Sequence, residues 1–152
     1  MSLTIPNRDL TAGLAGQWSD TIDPNADPFI TGDQPPQVTV DYVAADSTTI
    51  PARTVVGRVG NVPTGKITPA VWNATPGSGV IPIGITVYAI TTGASNTAQV
   101  GVYRQGVFNP DRLNWDASFD TDEKKRLAFE YAGPPTAIVL RKPTAMTPAA
   151  PL

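Results

Sequence analysis

The apolar residues of this chain follow a strand-like pattern in its central part. From residue 37 onwards, short segments rich in Val, Ile, Thr and Tyr alternate in part with polar residues, as in strands that bury one face. These segments read QVTVDYVA, RTVVGRVG, GVIPIGITVYAI and TAQVGVYRQGVF. Gly, Pro, Asn and Ser, which favour turns, fill the intervals between them. The pattern predicts a mainly β fold, with an antiparallel or jelly-roll-like arrangement.

Helix signals are concentrated in the segment that follows the last of these predicted strands. Asn109 before Pro110 is typical of a helix N-cap followed by a proline at the first helical position. Asp120 or Thr121 can cap a second helix of about ten residues, in which Asp122 and Glu123 precede the basic run from Lys124 to Arg126, as the helix dipole favours. A Gly-Pro-Pro run is expected to end this helix, and TAIVL to form a last strand. Because a helix of about ten residues is marginal alone, we expect it to pack on the sheet.

Aromatic residues are unusually dense between residues 103 and 129. Buried aromatic rings more often form a core than a platform for a ligand. The charged residues of the predicted second helix are interpreted as its solvated side. We therefore expect a fold framework that consists of Tyr103, Gly106, Phe108, Trp115 and Phe129.

Residues 1–36 are predicted to form an extended N-terminal arm, because four prolines exclude a regular helix or a central strand. Isolated apolar residues occur along this arm, too sparsely for a core of its own. They can pack on the domain of the same chain or bind another surface. These residues are Leu3, Ile5, Leu10, Leu14, Trp18, Ile22, Phe29 and Ile30. Residues 37–141 are predicted to form the β-rich domain, and residues 142–152 a flexible tail.

The composition restricts the chemistry that is available to the protein. A chain of 152 residues with 41% apolar content can bury one ordinary core, which favours a single domain. It contains no Cys and no His, which excludes disulfides, thiolate metal sites and His-dependent catalysis. A formal charge of −2 gives no excess positive field for nucleic acid. No signal-peptide pattern and no long apolar run is present, so we expect synthesis in, and retention by, a cytoplasm.

Two partial motif matches do not support a binding site. GNVPTGKI approaches a phosphate-binding loop, but Ile67 stands where Ser or Thr would bind magnesium, and Pro63 removes a loop N–H. DPNADPFITGDQ has the alternating oxygen ligands of a calcium loop, but Pro28 and Gln34 replace the required Gly and Glu. The acidic residues around position 121 are explained by helix capping. The sequence therefore predicts no catalytic, metal or cofactor site.

The segment VYRQGVFNPDRLNWDASFDTDEKKRLAF, followed by TAIV, resembles the lambda-type bacteriophage head decoration proteins, the capsid-stabilising protein D family. Weaker similarity runs upstream, so that the resemblance spans roughly residues 48–140. The residues of the C-terminal frame are Tyr103, Arg104, Gly106, Phe108, Trp115, Lys124, Lys125, Arg126, Ala128 and Phe129. Those of the upstream part are Pro51, Lys66, Trp72, Gly84 and Ile85.

This resemblance implies a β-clip-like domain that assembles as a homotrimer. The trimer would bind the outside of an expanded phage head at three-fold and quasi-three-fold positions. It would cement subunits of the major capsid protein against the pressure of packaged DNA, with the apolar residues of the arm as anchors. Two alternatives remain open at this stage. One is another exterior virion protein, such as a head fibre base or a tail-associated protein; the other is a carbohydrate-binding module that uses Trp18, Trp72 and Trp115.

Overall fold

The structure, a computed structural model, describes residues 28–60, 65–72, 79–95, 97–130 and 136–143. All of these belong to one of the two units into which the chain divides, Asp27–Ala145. The helical elements are a 3-10 turn, Pro110–Arg112, and a helix, α1 (Asp122–Leu127). The strands are β1 (Ile30–Gly32), β2 (Val38–Val43), β3 (Thr49–Ile50), β4 (Val55–Val59), β5 (Lys66–Pro69), β6 (Pro82–Thr86), β7 (Ile90–Thr91), β8 (Gln99–Phe108) and β9 (Ala137–Leu140).

The ten-residue strand β8 lies at the centre of the main sheet. Along one edge it pairs with β1 and β2, and along the other with β6 and β9. This assignment follows from the register, since Gln105 pairs with both β2 and β9, and Phe108 pairs with both β1 and β9. The pairing of β8 with β9 is parallel, whereas its other pairings are antiparallel. The prediction of a mainly β fold is confirmed, although the sheet is mixed.

The main sheet curls until its two ends meet. Beyond β6 the order continues through β4 to β5, and Ala44, directly after β2, forms a bridge with Ile67 of β5. The Ala45 N–H donates to the Ile67 carbonyl at 2.8 Å. The curl encloses an inner cluster of buried apolar residues. It consists of Ala44, Ile50, Val56, Ile67, Ile83, Val100 and Val102.

A second, outer cluster covers the other face of the sheet. The adjacent residues Val55 and Val56 point to opposite faces and belong to different clusters. The segment after β8 supplies much of this outer cluster, which explains why aromatic residues are concentrated there. Its members are Val55, Ala70, Ile85, Phe108, Leu113, Phe119, Ala128, Phe129 and Ile138. The short helical elements are thus held by packing rather than by their own helix propensity.

The predicted helix starts are confirmed. The Asn109 side chain accepts a hydrogen bond from the Asp111 N–H at 3.0 Å and caps the 3-10 turn. Thr121 is the N-cap of α1, and its hydroxyl accepts from the Lys124 N–H at 3.3 Å. Strand β9 confirms the last predicted strand. The predicted end of the helix is wrong, since α1 stops at Leu127 with Ala128 as its C-cap and is shorter than the ten residues expected; the Gly-Pro-Pro run lies outside the described residues.

Four strands were not predicted from the sequence as separate elements: β1, β3, β5 and β7. Strand β5 coincides with the end of the partial phosphate-loop match. Its Lys66 ammonium forms an ion pair with Asp46 at 2.7 Å, and Ile67 is fully buried. An extended strand, rather than a helix start, follows the loop, which agrees with the rejection of a phosphate site.

Candidate functional site

Phe29 fixes the end of the predicted N-terminal arm to the sheet. Its ring centroid lies 5.1 Å from that of Phe108 and 6.1 Å from that of Tyr103. The Arg53 guanidinium stands 4.8 Å above the same ring, and the Asn109 N–H donates to the Phe29 carbonyl at 2.9 Å. Of the two alternatives for the apolar residues of the arm, Phe29 therefore packs on its own domain.

Ile30 begins β1 but keeps 41% of its surface exposed. Strand β1 pairs with β8, so residues 30–32 are part of the sheet, although the sequence analysis placed the end of the arm at Pro36. The reason is that an edge strand of three residues tolerates nearby prolines. The other predicted anchors lie outside the described residues: Leu3, Ile5, Leu10, Leu14, Trp18 and Ile22.

Phe108, Tyr103 and Gly106 meet around the C-terminal half of β8. Phe108 is fully buried, and its ring centroid lies 5.2 Å from that of Tyr103. Gly106 has a φ of 141°, and a Cβ at this position would lie 2.8 Å from the Phe108 ring. The close approach of this ring to the backbone therefore requires glycine at position 106.

Phe119 joins the two described tryptophans to the outer cluster. Its ring centroid is 5.1 Å from Trp115 and 5.9 Å from Trp72. The Trp115 indole N–H donates to the Pro110 carbonyl at 2.8 Å, which ties the 3-10 turn to the following loop. Phe129 is buried in the same cluster. Both tryptophans thus have one ring face or edge against the outer cluster.

Replacing Trp115 tests this framework. We expect Trp115→Ala to lower the free energy of unfolding by about 3 kcal/mol, because it removes a half-buried ring and the bond to Pro110. Trp115→Phe keeps the contact with Phe119 and should cost about 1 kcal/mol. Urea denaturation measures both values. Lys124→Ala, which removes only a surface ion pair with Asp120, is the control, and should cost less than about 0.5 kcal/mol. Equal stability of Trp115→Ala and wild type would contradict the assignment.

Most charges of the helical segment are paired with one another at the surface. The Lys142 ammonium lies 3.1 Å from an Asp122 carboxylate oxygen and 3.3 Å from one of Asp111, and these hydrogen bonds raise the pKa of Lys142. Arg126 pairs with Glu123 at 2.9 Å. Exposed pairs of this kind contribute little to stability. Within the described ranges, no group of three or more acidic side chains has the geometry to hold a metal ion.

The exposed apolar residues of the described chain include several on the margins of the main sheet. Val38 and Val40 of β2 expose 43% and 44% of their surface, and Val139 of β9 exposes 47%. Tyr88, in the turn between β6 and β7, is the most exposed of the large apolar residues described, at 71%. Exposed apolar residues of this kind can contribute to the binding of other proteins. No helix in this part of the chain has the length and apolarity that spanning a bilayer requires.

A family model described as bacteriophage lambda head decoration protein D matches residues 21–132 of this chain. The match begins upstream of the resemblance seen in the sequence, which started near residue 48, and therefore includes β1 and β2. It runs through the whole of β8 and α1 and ends before β9. A comparison with individual curated proteins found no match. Because the family model covers most of the chain, including the central strand and its aromatic framework, this protein belongs to the bacteriophage lambda head decoration protein D family, the structural proteins that decorate the phage capsid.

Proposed function

We propose that the protein assembles as a homotrimer on the outside of the expanded head, at three-fold and quasi-three-fold positions, and cements neighbouring subunits of the major capsid protein. The observation that carries this proposal is the family match across residues 21–132. Cementing requires contact area that symmetry repeats, and no chemical step. A protein without His or Cys, with exposed apolar residues on the margins of its sheet, suits this role.

The arm supplies the binding contacts in this proposal. Phe29 and β1 lie on the sheet, so the apolar residues proposed to contact the capsid are those upstream, from Leu3 to Ile22. Three arms of one trimer can bind simultaneously, which gives avidity without strong individual contacts. The segment available to the capsid is therefore residues 1–27, nine residues shorter than the arm predicted from the sequence.

We expect the protein to be a trimer on the particle. In solution it is expected to be either a trimer already or a monomer that assembles into trimers on the particle. Light scattering of the purified protein should give a mass of three chains or one. Cryo-electron microscopy of decorated heads should show three-lobed density over the three-fold and quasi-three-fold positions. A stable dimer in solution and on the head would contradict the proposal. Density at the tail alone would instead favour the alternative of a tail-associated protein.

A further inference from the structure

Tyr42, Arg58 and Arg104 come together from three different strands. Their strands are β2, β4 and β8, and the two arginines each follow an inner-cluster valine by two positions. The guanidinium carbon of Arg58 lies 5.2 Å from the centroid of the Tyr42 ring, and that of Arg104 lies 5.8 Å from it. A nitrogen of the Arg104 guanidinium also donates to the Tyr42 hydroxyl. The guanidinium groups of both arginines thus lie against the same ring, that of Tyr42, beside the inner cluster.

Arg58 is half-buried, yet no carboxylate of the described residues balances its charge. None of the salt bridges between described residues involves Arg58. Its Nε is buried and has no hydrogen-bond partner. Residues 61–64 of the sequence read NVPT and contain no acidic side chain. Removing a guanidinium from water without a counter-charge is unfavourable, so its position calls for an anion.

Gly65 makes room for the side chain of Arg58. A Cβ at Gly65 would lie 2.7 Å from Cδ and Cγ of Arg58, so any larger residue would displace the Arg58 stem. The Arg58 guanidinium is therefore positioned by packing along its stem, which reduces the entropy that a ligand must overcome.

We infer that Arg58, which lies against the ring of Tyr42, binds a carboxylate side chain of the major capsid protein; this inference rests on the proposed function. A guanidinium can bind a carboxylate through two parallel hydrogen bonds, which supply both energy and orientation. The exposed Val40, on the same strand as Tyr42 and two positions before it, provides an apolar contact beside the charged group. Arg and Tyr are enriched among the residues that dominate protein interfaces.

The carboxylate is assigned to another protein because this chain offers few of its own. Outside the described residues, acidic side chains occur only in residues 1–27, at Asp9, Asp20, Asp23 and Asp27. In the proposed function that segment is engaged with the capsid. A contact of Arg58 with the major capsid protein would give each protomer a second attachment point. This second contact would raise the avidity of the trimer further.

The test compares Arg58→Gln with wild type for binding to expanded heads that lack the decoration protein. Gln keeps most of the stem and removes the charge. We expect the dissociation constant to rise at least about tenfold, and its dependence on salt concentration to weaken. The thermal unfolding midpoint of the free variant should stay unchanged or rise, because an uncompensated charge has been removed. Arg141→Gln, which makes the same charge change at an exposed arginine after β9, is the control and should bind as wild type does.

Each other outcome overturns the inference in a distinguishable way. If Arg58→Gln binds heads with wild-type affinity, the site does not contact the capsid, while the proposed function stands. Failure of the wild-type protein itself to bind heads would remove the proposed function and this site together. Loss of the trimer in Arg58→Gln would assign the carboxylate to a second copy of the chain. If replacing the four aspartates of the arm with Asn weakens binding to the same extent, and adding Arg58→Gln has no further effect, the carboxylate belongs to the arm.

Discussion

A protein that lacks residues 1–26 is expected to fold but to bind expanded heads at least about a hundredfold more weakly than the full-length chain. The deletion removes all predicted anchors upstream of Phe29, and with them the avidity that three arms provide. It preserves Phe29, its contacts with Tyr103 and Phe108, and strand β1. Cosedimentation with undecorated heads measures the binding, and circular dichroism shows whether the domain is folded.

A longer deletion, of residues 1–32, is the informative comparison. It also removes β1 and Phe29, so it exposes the rings of Tyr103 and Phe108 and leaves one edge of β8 unpaired there. This protein should unfold at a lower temperature than the shorter deletion variant, because buried apolar area is lost. Capsid binding at full strength by the shorter deletion variant would place the binding surface on the β domain and not on the arm.

Phe108→Ala is expected to lower the free energy of unfolding by about 4 to 5 kcal/mol, which is a large part of the stability of an ordinary domain. Phe108 is fully buried at the end of the central strand. Its ring contacts Phe29 and Tyr103 and lies against the backbone of Gly106, so a smaller side chain leaves a cavity that these rigid neighbours cannot fill. Equilibrium unfolding in guanidinium chloride measures the change.

Two further variants calibrate this value. Phe108→Leu keeps much of the volume and should cost about 1.5 kcal/mol or somewhat more. Val139→Ala, at an exposed position of β9, should change the free energy by no more than about 0.5 kcal/mol. If Phe108→Ala cost less than about 1 kcal/mol, the outer cluster would not depend on this residue, and its place in the fold framework would be wrong.

The elements that could be predicted from the sequence are those with local signals. Strands β2, β4, β6 and β8 show runs of β-branched residues between turn formers. The N-caps Asn109 and Thr121 have side chains that accept hydrogen bonds from backbone N–H groups two or three residues further along the chain. The aromatic framework was predicted because aromatic residues are dense in this segment and because a helix of about ten residues must be held by packing.

The remaining features depend on contacts between residues far apart in the chain. Strand β1 has only three residues beside prolines, and its pairing with β8 decides its conformation. The role of Phe29 follows from the same pairing. The cluster of Tyr42, Arg58 and Arg104 has no sequence signal, because only the register of three strands brings the residues together.

The central position of β8 determines when the chain can fold during synthesis. Strands β1, β2 and β6 are synthesised before β8, so the ladder that joins them cannot form until β8 has followed. Until then the backbone groups of β2 that pair with β8 must be hydrated, and its valines can contact other unfolded chains. Formation of the sheet is thus a late event that depends on distant partners, which favours slow folding. In the proposed function the protein binds a shell that has already been built, so slow folding would not delay assembly of the shell.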